Sequence, residues 1–546
     1  MIPTTHVFPR CGLAVVVVFS FALVAAAAHV PDKAYLVDRA LLDDVQKAAF
    51  NYMWEDAHPE CGMAYEANFD WDIRPVAVGG TGFGIAAIVT AVDRGWITRN
   101  QAVDRLLTIT DFLLERAGRE KLHGAFPHWL NGDTGKAISF DANDDGADVV
   151  ETSLLMQGLL IARSYFNGPG VEEKLRRNIT ELWEGVEWNF FTNNEENGLY
   201  WHWSPQRGYS GLKVLGYNEC LITYVLAASS PTHPISRKAY DYWTSGENYQ
   251  PREVNGYRIE ATIPGGGPLF LAHYSFIGLD PRRLADKYVR QGYFVRNVGQ
   301  TLANRGYCIQ DAPQENRYSP EFWGLTASQI QDGYAVNEAY RDSGTVAPTA
   351  ALSSMPYTPF YSLQVLRFLR GDARDKVWGP YGPYDAANLR DAWVSDRYLA
   401  IDQLPIVGMI ENYRSGLLWK HFMADPDVKR GLRVAGLRPP ELEPGFPEAV
   451  VTLLKEGIGY VGDAYDVVRH CDTGKYAIPY WSAQGGEVSF KIVNQNEVVL
   501  FERNEKAVKG RNVLLFEQFM VPDGKTATLV MNDADNGEYT LPLRLN

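Results

Sequence analysis

The segment Asp141-Ala-Asn-Asp-Asp-Gly-Ala-Asp148-Val-Val-Glu151-Thr-Ser-Leu-Leu155 runs an acidic loop straight into an apolar helix. Apolar residues recur at three- and four-residue spacing from there on, which predicts a helix over 149–166 with the loop at its N-terminal end. The same unit repeats on both sides. Helical periodicity is read over 41–54, 84–95, 101–117, 171–191, 221–228, 269–278, 281–303, 347–369 and 403–422. The segments 123–133, 197–209, 314–334 and 377–384 between them are loops rich in Gly, Pro and aromatics. Many helices joined by long aromatic loops predict a mainly α toroid with its site on loops at one end, because loops held by a rigid scaffold carry function. No short-period repeat is present, which argues against a regular solenoid.

Asp144, Asp148 and Glu151 are spaced i, i+4, i+7, so a helix reaching back to 144 would put them on one face within about 60°. Carboxylates that close repel and raise one another's pKa. Acid–base chemistry on a sugar is one reason to keep them together. Two simpler readings compete. Asp148 fits an N-cap, with Glu151 at N3 closing a capping-box-like pair. Asp141, Asn143, Asp145 and Gly146 match the first half of a calcium loop, but its twelfth position is Thr152 and Glu151 falls one short. We therefore expect no metal.

The chain has 546 residues and a formal net charge of −14, which argues against a nucleic-acid or anionic-membrane partner and suits a neutral ligand. Most of its 14 Trp, 30 Tyr and 24 Phe are expected in the core, and an excess over core needs would suit stacking on sugar rings. Arg10 followed by the apolar run 11–28, with Ala at 25–28, reads as a signal peptide, an uncleaved anchor being the alternative. A periplasmic or secreted protein is expected, with no stable membrane insertion after cleavage; the oligomeric state is left open. Cys61, Cys220, Cys308 and Cys471 are scattered, without the spacing of a zinc site or a disulfide framework.

The helical pattern covers about 35–435. The Pro-rich stretch Gly436-Leu-Arg-Pro-Pro-Glu-Leu-Glu-Pro-Gly445 reads as a boundary. Beyond it, over 446–546, short alternating runs such as Glu487-Val-Ser-Phe-Lys-Ile-Val493 predict a small C-terminal antiparallel β-module.

Several strings add up to a family. They are Val78-Gly-Gly-Thr-Gly-Phe-Gly-Ile-Ala-Ala87, Arg94-Gly-Trp-Ile-Thr98, Phe126-Pro-His-Trp129, the acidic run above, Gly216-Tyr-Asn-Glu219, Ser319-Pro-Glu-Phe-Trp-Gly-Leu-Thr-Ala327, Ala347-Pro-Thr-Ala-Ala-Leu-Ser-Ser-Met-Pro356, Gly379-Pro-Tyr-Gly-Pro-Tyr384, and Tyr398 through Arg414. In this order, over about 40–425, they resemble the glucoamylase-like domain of bacterial endo-β-1,2-glucanases, glycoside hydrolase family 144 and its relatives. The resemblance implies an (α/α)6 barrel, an inverting hydrolase without a cofactor, and short sophoro-oligosaccharide products. The chain departs from the pattern at Ser328-Gln-Ile-Gln-Asp-Gly333 and at Asp402-Gln-Leu-Pro405, which leaves endo against exo action open. Another neutral β-glucan as substrate, or a glycan-binding protein that does not cleave, are the alternatives.

An inverting glycosidase needs a protonated acid and a base that activates water across the ring. Glu219 is the candidate acid: it precedes an apolar helix, where burial raises a carboxyl pKa, and the resemblance points to the same Glu. Asp402 and Asp148, the latter with Asp144 beside it, compete for the base; Asp402 also reads as an N-cap before a helix near Pro405. Substrate contacts are expected from Asp144, Glu151, His128, Trp129, Trp201, Trp203, Tyr217, Trp323 and Tyr357. Glu411 is a further candidate, although Arg414 at i+3 first suggests an ion pair.

Overall fold

The computed structural model describes residues 33–440, apart from 70, 194–196 and 372, and then 468–469, 476–482, 486–494, 498–507, 510–516, 527–533 and 537–543. The expected leader at 1–28 and the residue Cys471 lie outside the described residues. No described helix is long and apolar enough to cross a membrane.

In chain order the helices are α1 (Lys33–Glu55), α2 (Val78–Asp93), α3 (Arg99–Glu115), α4 (Val149–Tyr165), α5 (Val171–Glu184), α6 (Leu221–Ser229), α7 (Arg237–Trp243), α8 (Tyr293–Gly306), α9 (Pro348–Leu352), α10 (Pro359–Arg370), α11 (Arg374–Val377), α12 (Ala400–Arg414), α13 (Leu417–Ala424) and α14 (Pro426–Ala435). An inner ring runs α2, α4, α6, the 3-10 turns Leu269–Ala272 and Tyr274–Ile277, α9 and α12, and closes where α12 packs on α2. His273 Nε2 to Ser354 Oγ (2.9 Å) and Tyr357 O–H donating to Ala272 O (2.8 Å) tie the 3-10 turns to the segment after α9. α1, α3, α5, α8, α10 and α14 pack outside this ring. This is the (α/α)6 barrel expected from the sequence.

The glycines of Val78-Gly-Gly-Thr-Gly-Phe-Gly84 lie inside α2, although periodicity starts a helix only at 84. Their reason is close contact, Gly79 and Gly82 with α4, Gly80 with Ala400 of α12 and Gly84 with Met53 of α1. A Cβ at Gly82 would stand 2.1 Å from Leu154 O, and one at Gly158 would stand 2.0 Å from Gly82 O. Two backbones thus approach closer than any side chain allows, which outweighs the roughly 1 kcal/mol that each helical glycine costs.

Other boundaries moved for equally local reasons. The helix expected over 347–369 is two helices, because Pro359 lacks an N–H and holds Thr358 out of helical geometry (φ −138°, ψ 60°). The one expected over 403–422 breaks at Gly416, in left-handed geometry with φ 69°. Residues 269–278 form 3-10 turns rather than one helix, and 281–303 holds a 3-10 turn at Pro281–Arg283 and becomes α-helical only at Tyr293.

The C-terminal strands are antiparallel. Tyr476–Ser482 lies between Val468–Arg469 and Gly510–Phe516. A four-stranded sheet runs Val499–Ala507, Gly486–Asn494, Ala527–Asp533, Gly537–Leu543. Val488, Phe490 and Ile492 alternate into its buried face.

Candidate active site

A cavity of about 520 Å³ opens at the end of the barrel where the inner helices begin. Many of its lining residues come from segments that precede those helices: Glu66, Phe69 and Trp71 before α2, His128, Trp129 and Phe140 before α4, and Trp201 and Glu219 before α6, while Val150, Glu151 and Leu154 come from the start of α4 itself. Gln329, Gly333, Tyr334 and Val336 come from a hairpin before α9 that pairs Ala327–Ile330 with Gly333–Val336, and Leu399 and Ile401 from the start of α12. Helix N-termini carry partial positive charge, so this end of the barrel favours carboxylates.

Glu151 shows the effect directly. Its Oε2 accepts the backbone N–H of Gly79, in the first turn of α2, at 2.7 Å. Burial, opposed by His128 and helped by Asp148, still raises its carboxyl pKa to about 7. Glu219 stands two residues ahead of α6 and lines the cavity. Burial again dominates and raises its pKa to about 7. Both are therefore acids near neutrality.

Asp148 is the N-cap of α4: its Oδ1 accepts from Val150 N–H (2.8 Å) and Glu151 N–H (2.9 Å). Its Oδ2 accepts from Trp201 Nε1 (3.2 Å) and lies 3.4 Å from His128 Nδ1 and 3.5 Å from His202 Nε2. Burial would raise this carboxyl, but the two imidazoles outweigh it and hold it below the usual range. Asp144 Oδ2 lies 2.7 Å from His128 Nδ1 and 3.6 Å from His202 Nε2. His128 is desolvated, which lowers its pKa, yet Glu151, Asp144 and Asp148 together raise it well above its ordinary value. The cluster sets two imidazoles against two carboxylates. His128, Asp144 and Asp148 are also, among the described residues, the one group whose ligand atoms lie close enough to hold a cation. The calcium-loop reading itself has no support in the geometry. Asp141 Oδ1 accepts from Asn143 and Asp144 N–H in a local turn, Asp145 pairs with Arg207, and Thr152 Oγ1 is engaged with Asp148 O and Phe126 N–H.

Asp402 is third in α12, whose N-cap is Leu399, so the N-cap reading of Asp402 is replaced. Pro405 lies within the helix rather than at its start. Tyr274, a cavity-lining residue, donates its O–H to Asp402 Oδ1 at 3.3 Å. Burial and the neighbouring Asp385 carboxyl raise Asp402 well above the ordinary carboxylate range.

Aromatic rings wall the cavity. Phe140 stacks on His128 (4.3 Å, 10°) and meets Trp129 edge-on (4.9 Å). Trp71 stacks on Phe69 (4.3 Å, 18°) and meets Trp129 edge-on at 5.9 Å. Trp71, Phe140 and Tyr334 are exposed and offer ring faces to a ligand.

Of the expected contacts, Glu219, Glu151, His128, Trp129 and Trp201 line the cavity, with Asp144 and Asp148 just behind His128. Others do not reach it. Trp323 and Tyr357 are core residues, the latter bonded to Asn297 Nδ2 and Ala272 O. Tyr217 is fully buried, donates to Leu271 O, and has the Arg296 guanidinium over its ring at 3.8 Å. Trp203 packs on His123 and Phe190. A register irregularity between Tyr200 and His202 breaks the strand alternation, so Trp201 turns to the cavity without Trp203. Glu411 pairs not with Arg414 but with Arg94 (2.7 and 3.0 Å), three turns along α12 from the cavity end, while Arg414 bonds Asp43 and Gln46.

Sequence reasoning missed Glu66, Phe140, His202, Tyr274, Gln329, Tyr334 and Asp385. His202 had a signal: it lies inside the quoted aromatic string, and strand pairing sets it opposite Asp148. Tyr274 was hidden in a stretch read as an ordinary helix.

The sequence model of the family described as "Putative glucoamylase" matches residues 211–426. An exo-β-1,2-glucooligosaccharide sophorohydrolase (non-reducing end) of Parabacteroides distasonis is 42% identical over 423 residues, 73% of this chain; the match spans 58% of that relative's length. An endo-β-1,2-glucanase from Chitinophaga pinensis, solved with sophorotriose and glucose, is 43% identical with a TM-score of 0.71, over 74% of this chain and 99% of that one. A Bacteroides fragilis structure with the same description as the family is 45% identical with a TM-score of 0.72, over 76% of this chain and all (100%) of that one. The chain belongs to this glucoamylase-like family of glycoside hydrolases.

Proposed function

We propose that the protein hydrolyses β-1,2-linked glucan with inversion at the anomeric carbon. The observation that carries this reading is Glu219: a carboxyl in an aromatic-walled cavity, with its pKa raised to about 7 by burial. Such a group keeps its proton up to about pH 7 and can give it to the leaving glycosidic oxygen. The names of the relatives support the linkage.

Asp402 serves as base rather than Asp148. Both oxygens of Asp148 are already held by the α4 amides, Trp201 and the imidazoles, which makes it an anchor for His128 and His202. Asp402 instead meets the cavity wall through Tyr274. Its carboxylate takes a proton from a water that attacks the anomeric carbon opposite Glu219, and Glu219 protonates the departing oxygen. Glu66, Glu151 and His128 bind sugar hydroxyls, and Trp71, Trp129 and Phe140 offer ring faces. Whether cleavage is endo or exo depends on how the hairpin 327–336 bounds the cavity. The apolar segment 11–28 supports export, and the strands beyond 467 are read as a separate module.

Linear β-1,2-glucan, β-1,3-glucan and β-1,4-glucan incubated in parallel, with products separated by chromatography, test the reading. Sophoro-oligosaccharides from the first substrate alone are expected. Binding without products, or turnover of another glucan only, would remove it.

A further inference from the structure

We propose that Asp385 is the positioning residue of the base: its carboxyl group shares a proton with Asp402 and holds the latter's charge toward the cavity. The proposal rests on the reading of Asp402 as base.

Both residues are almost wholly buried, at 4% and 2% exposure. Each leaves one carboxyl oxygen, Oδ1 of Asp385 and Oδ2 of Asp402, without a donor. The two side chains are within hydrogen-bonding reach of one another. Two buried acceptors that meet without a donor need a proton between them, since an unpaired buried carboxylate is costly. Each outer oxygen has a single donor, which leaves Asp402 Oδ1 able to accept a further proton. Asp385 Oδ2 accepts Gln329 N–H at 2.7 Å, and Asp402 Oδ1 accepts Tyr274 O–H at 3.3 Å. The backbone of Asp402 is fixed too, since Thr349 Oγ1 donates to its carbonyl at 2.7 Å.

Burial raises both carboxyls, Asp385 to about 6 and Asp402, with Asp385 beside it, further, so the pair keeps a proton near neutral pH. Glu66, Tyr274 and Tyr334 are the other titratable groups that act on the pair. All are acids, so the pair carries one negative charge rather than two. In that state the shared proton lies between Asp385 Oδ1 and Asp402 Oδ2. Asp402 Oδ1 then takes the proton of the attacking water, the O–H bond breaks as the new bond to carbon forms, and the pair ends neutral.

Gln329 ties this pair to the hairpin over the cavity: the same residue lines the cavity and donates to Asp385. The base is thereby coupled to the segment that bounds the substrate.

The test compares Asp385→Ala with Asp385→Asn in the full chain, with kcat and KM for linear β-1,2-glucan measured across pH. Asparagine keeps an acceptor for Gln329 N–H and a donor for Asp402. We expect Asp385→Ala to lose about tenfold or more in kcat with KM little changed, and its acidic limb to rise by about one pH unit, because the Asp402 anion loses its only inner donor. Asp385→Asn restores most of both. If Asp385 were instead an ionised neighbour, both variants would lower the acidic limb, because a repelling charge is gone; that result, or an unmoved limb in both, overturns the proposal. A readout without substrate separates this from the linkage. The infrared difference between wild type and Asp385→Asn at neutral pH should show loss of a protonated carboxyl band. Failure of the wild type to cleave β-1,2-glucan would sink the functional reading and leave that band to decide for Asp385. Absence of the band would overturn the shared proton.

Discussion

Gly79 donates its backbone N–H to Glu151 Oε2 at 2.7 Å, and a Cβ on Gly79 would stand 2.5 Å from that same oxygen. The glycine is thus the seat of a cavity carboxylate as well as part of a helix contact.

Gly79→Ala should therefore push Glu151 off the α2 terminus. We expect a loss of about 1–3 kcal/mol in stability, the usual cost of overpacking a tight site. Activity should fall beyond what the melting temperature explains. Denaturant midpoints and kcat of the same preparation check this; wild-type kcat in a folded variant would show that Glu151 needs no such seat.

Glu219→Gln should lower kcat by at least ~10²-fold while leaving the fold intact, since the change is nearly isosteric. The sign of the wild-type pH profile follows from the raised pKa. The acid must be protonated, so activity falls as pH rises through about 7. The basic limb should be missing from the residual activity of Glu219→Gln. Persistence of that limb in the variant would assign it to another group.

Glu151 makes a stability prediction from the same kind of shift. Its folded pKa, about 7, lies above that of an unfolded glutamate, about 4.3. Between those values the folded chain binds more protons, so this group's contribution to stability falls as pH rises from about 4.3 to about 7. Glu151→Gln should flatten that part of the stability–pH curve in urea titrations. An unchanged slope would show that the carboxyl is ionised throughout.

Chelator should change neither activity nor melting temperature. Thr152 occupies the place of a calcium loop's twelfth ligand and spends its hydroxyl on Asp148 O, at 2.7 Å, and on Phe126 N–H, at 2.9 Å. A loss on chelation, restored by calcium, would mean that His128, Asp144 and Asp148 hold a cation.

The barrel was legible because its inner helices announce themselves twice, by apolar periodicity and by the loops ahead of them. Asp148 and Glu219 stand at those junctions, and sequence alone placed both near the site. What stayed hidden was set by contacts across the ring. Glu411 looks like half of an i, i+3 pair with Arg414, but Arg94, at the C-cap of the neighbouring α2, takes it. Asp385 carries no local signal at all: it matters only because the fold carries it beside Asp402. Tyr217 and Tyr357 show the limit of motif reasoning, since a residue inside a site string can belong to the packing beneath the site.

Inversion by Glu219 and Asp402 is tested most directly by the configuration of the first product. Proton NMR or polarimetry should follow cleavage of linear β-1,2-glucan within the time before mutarotation. An initial α-anomer is expected, because the attacking water reaches the anomeric carbon from the face opposite the leaving group. An initial β-anomer would contradict inversion and, with it, the roles given to both residues.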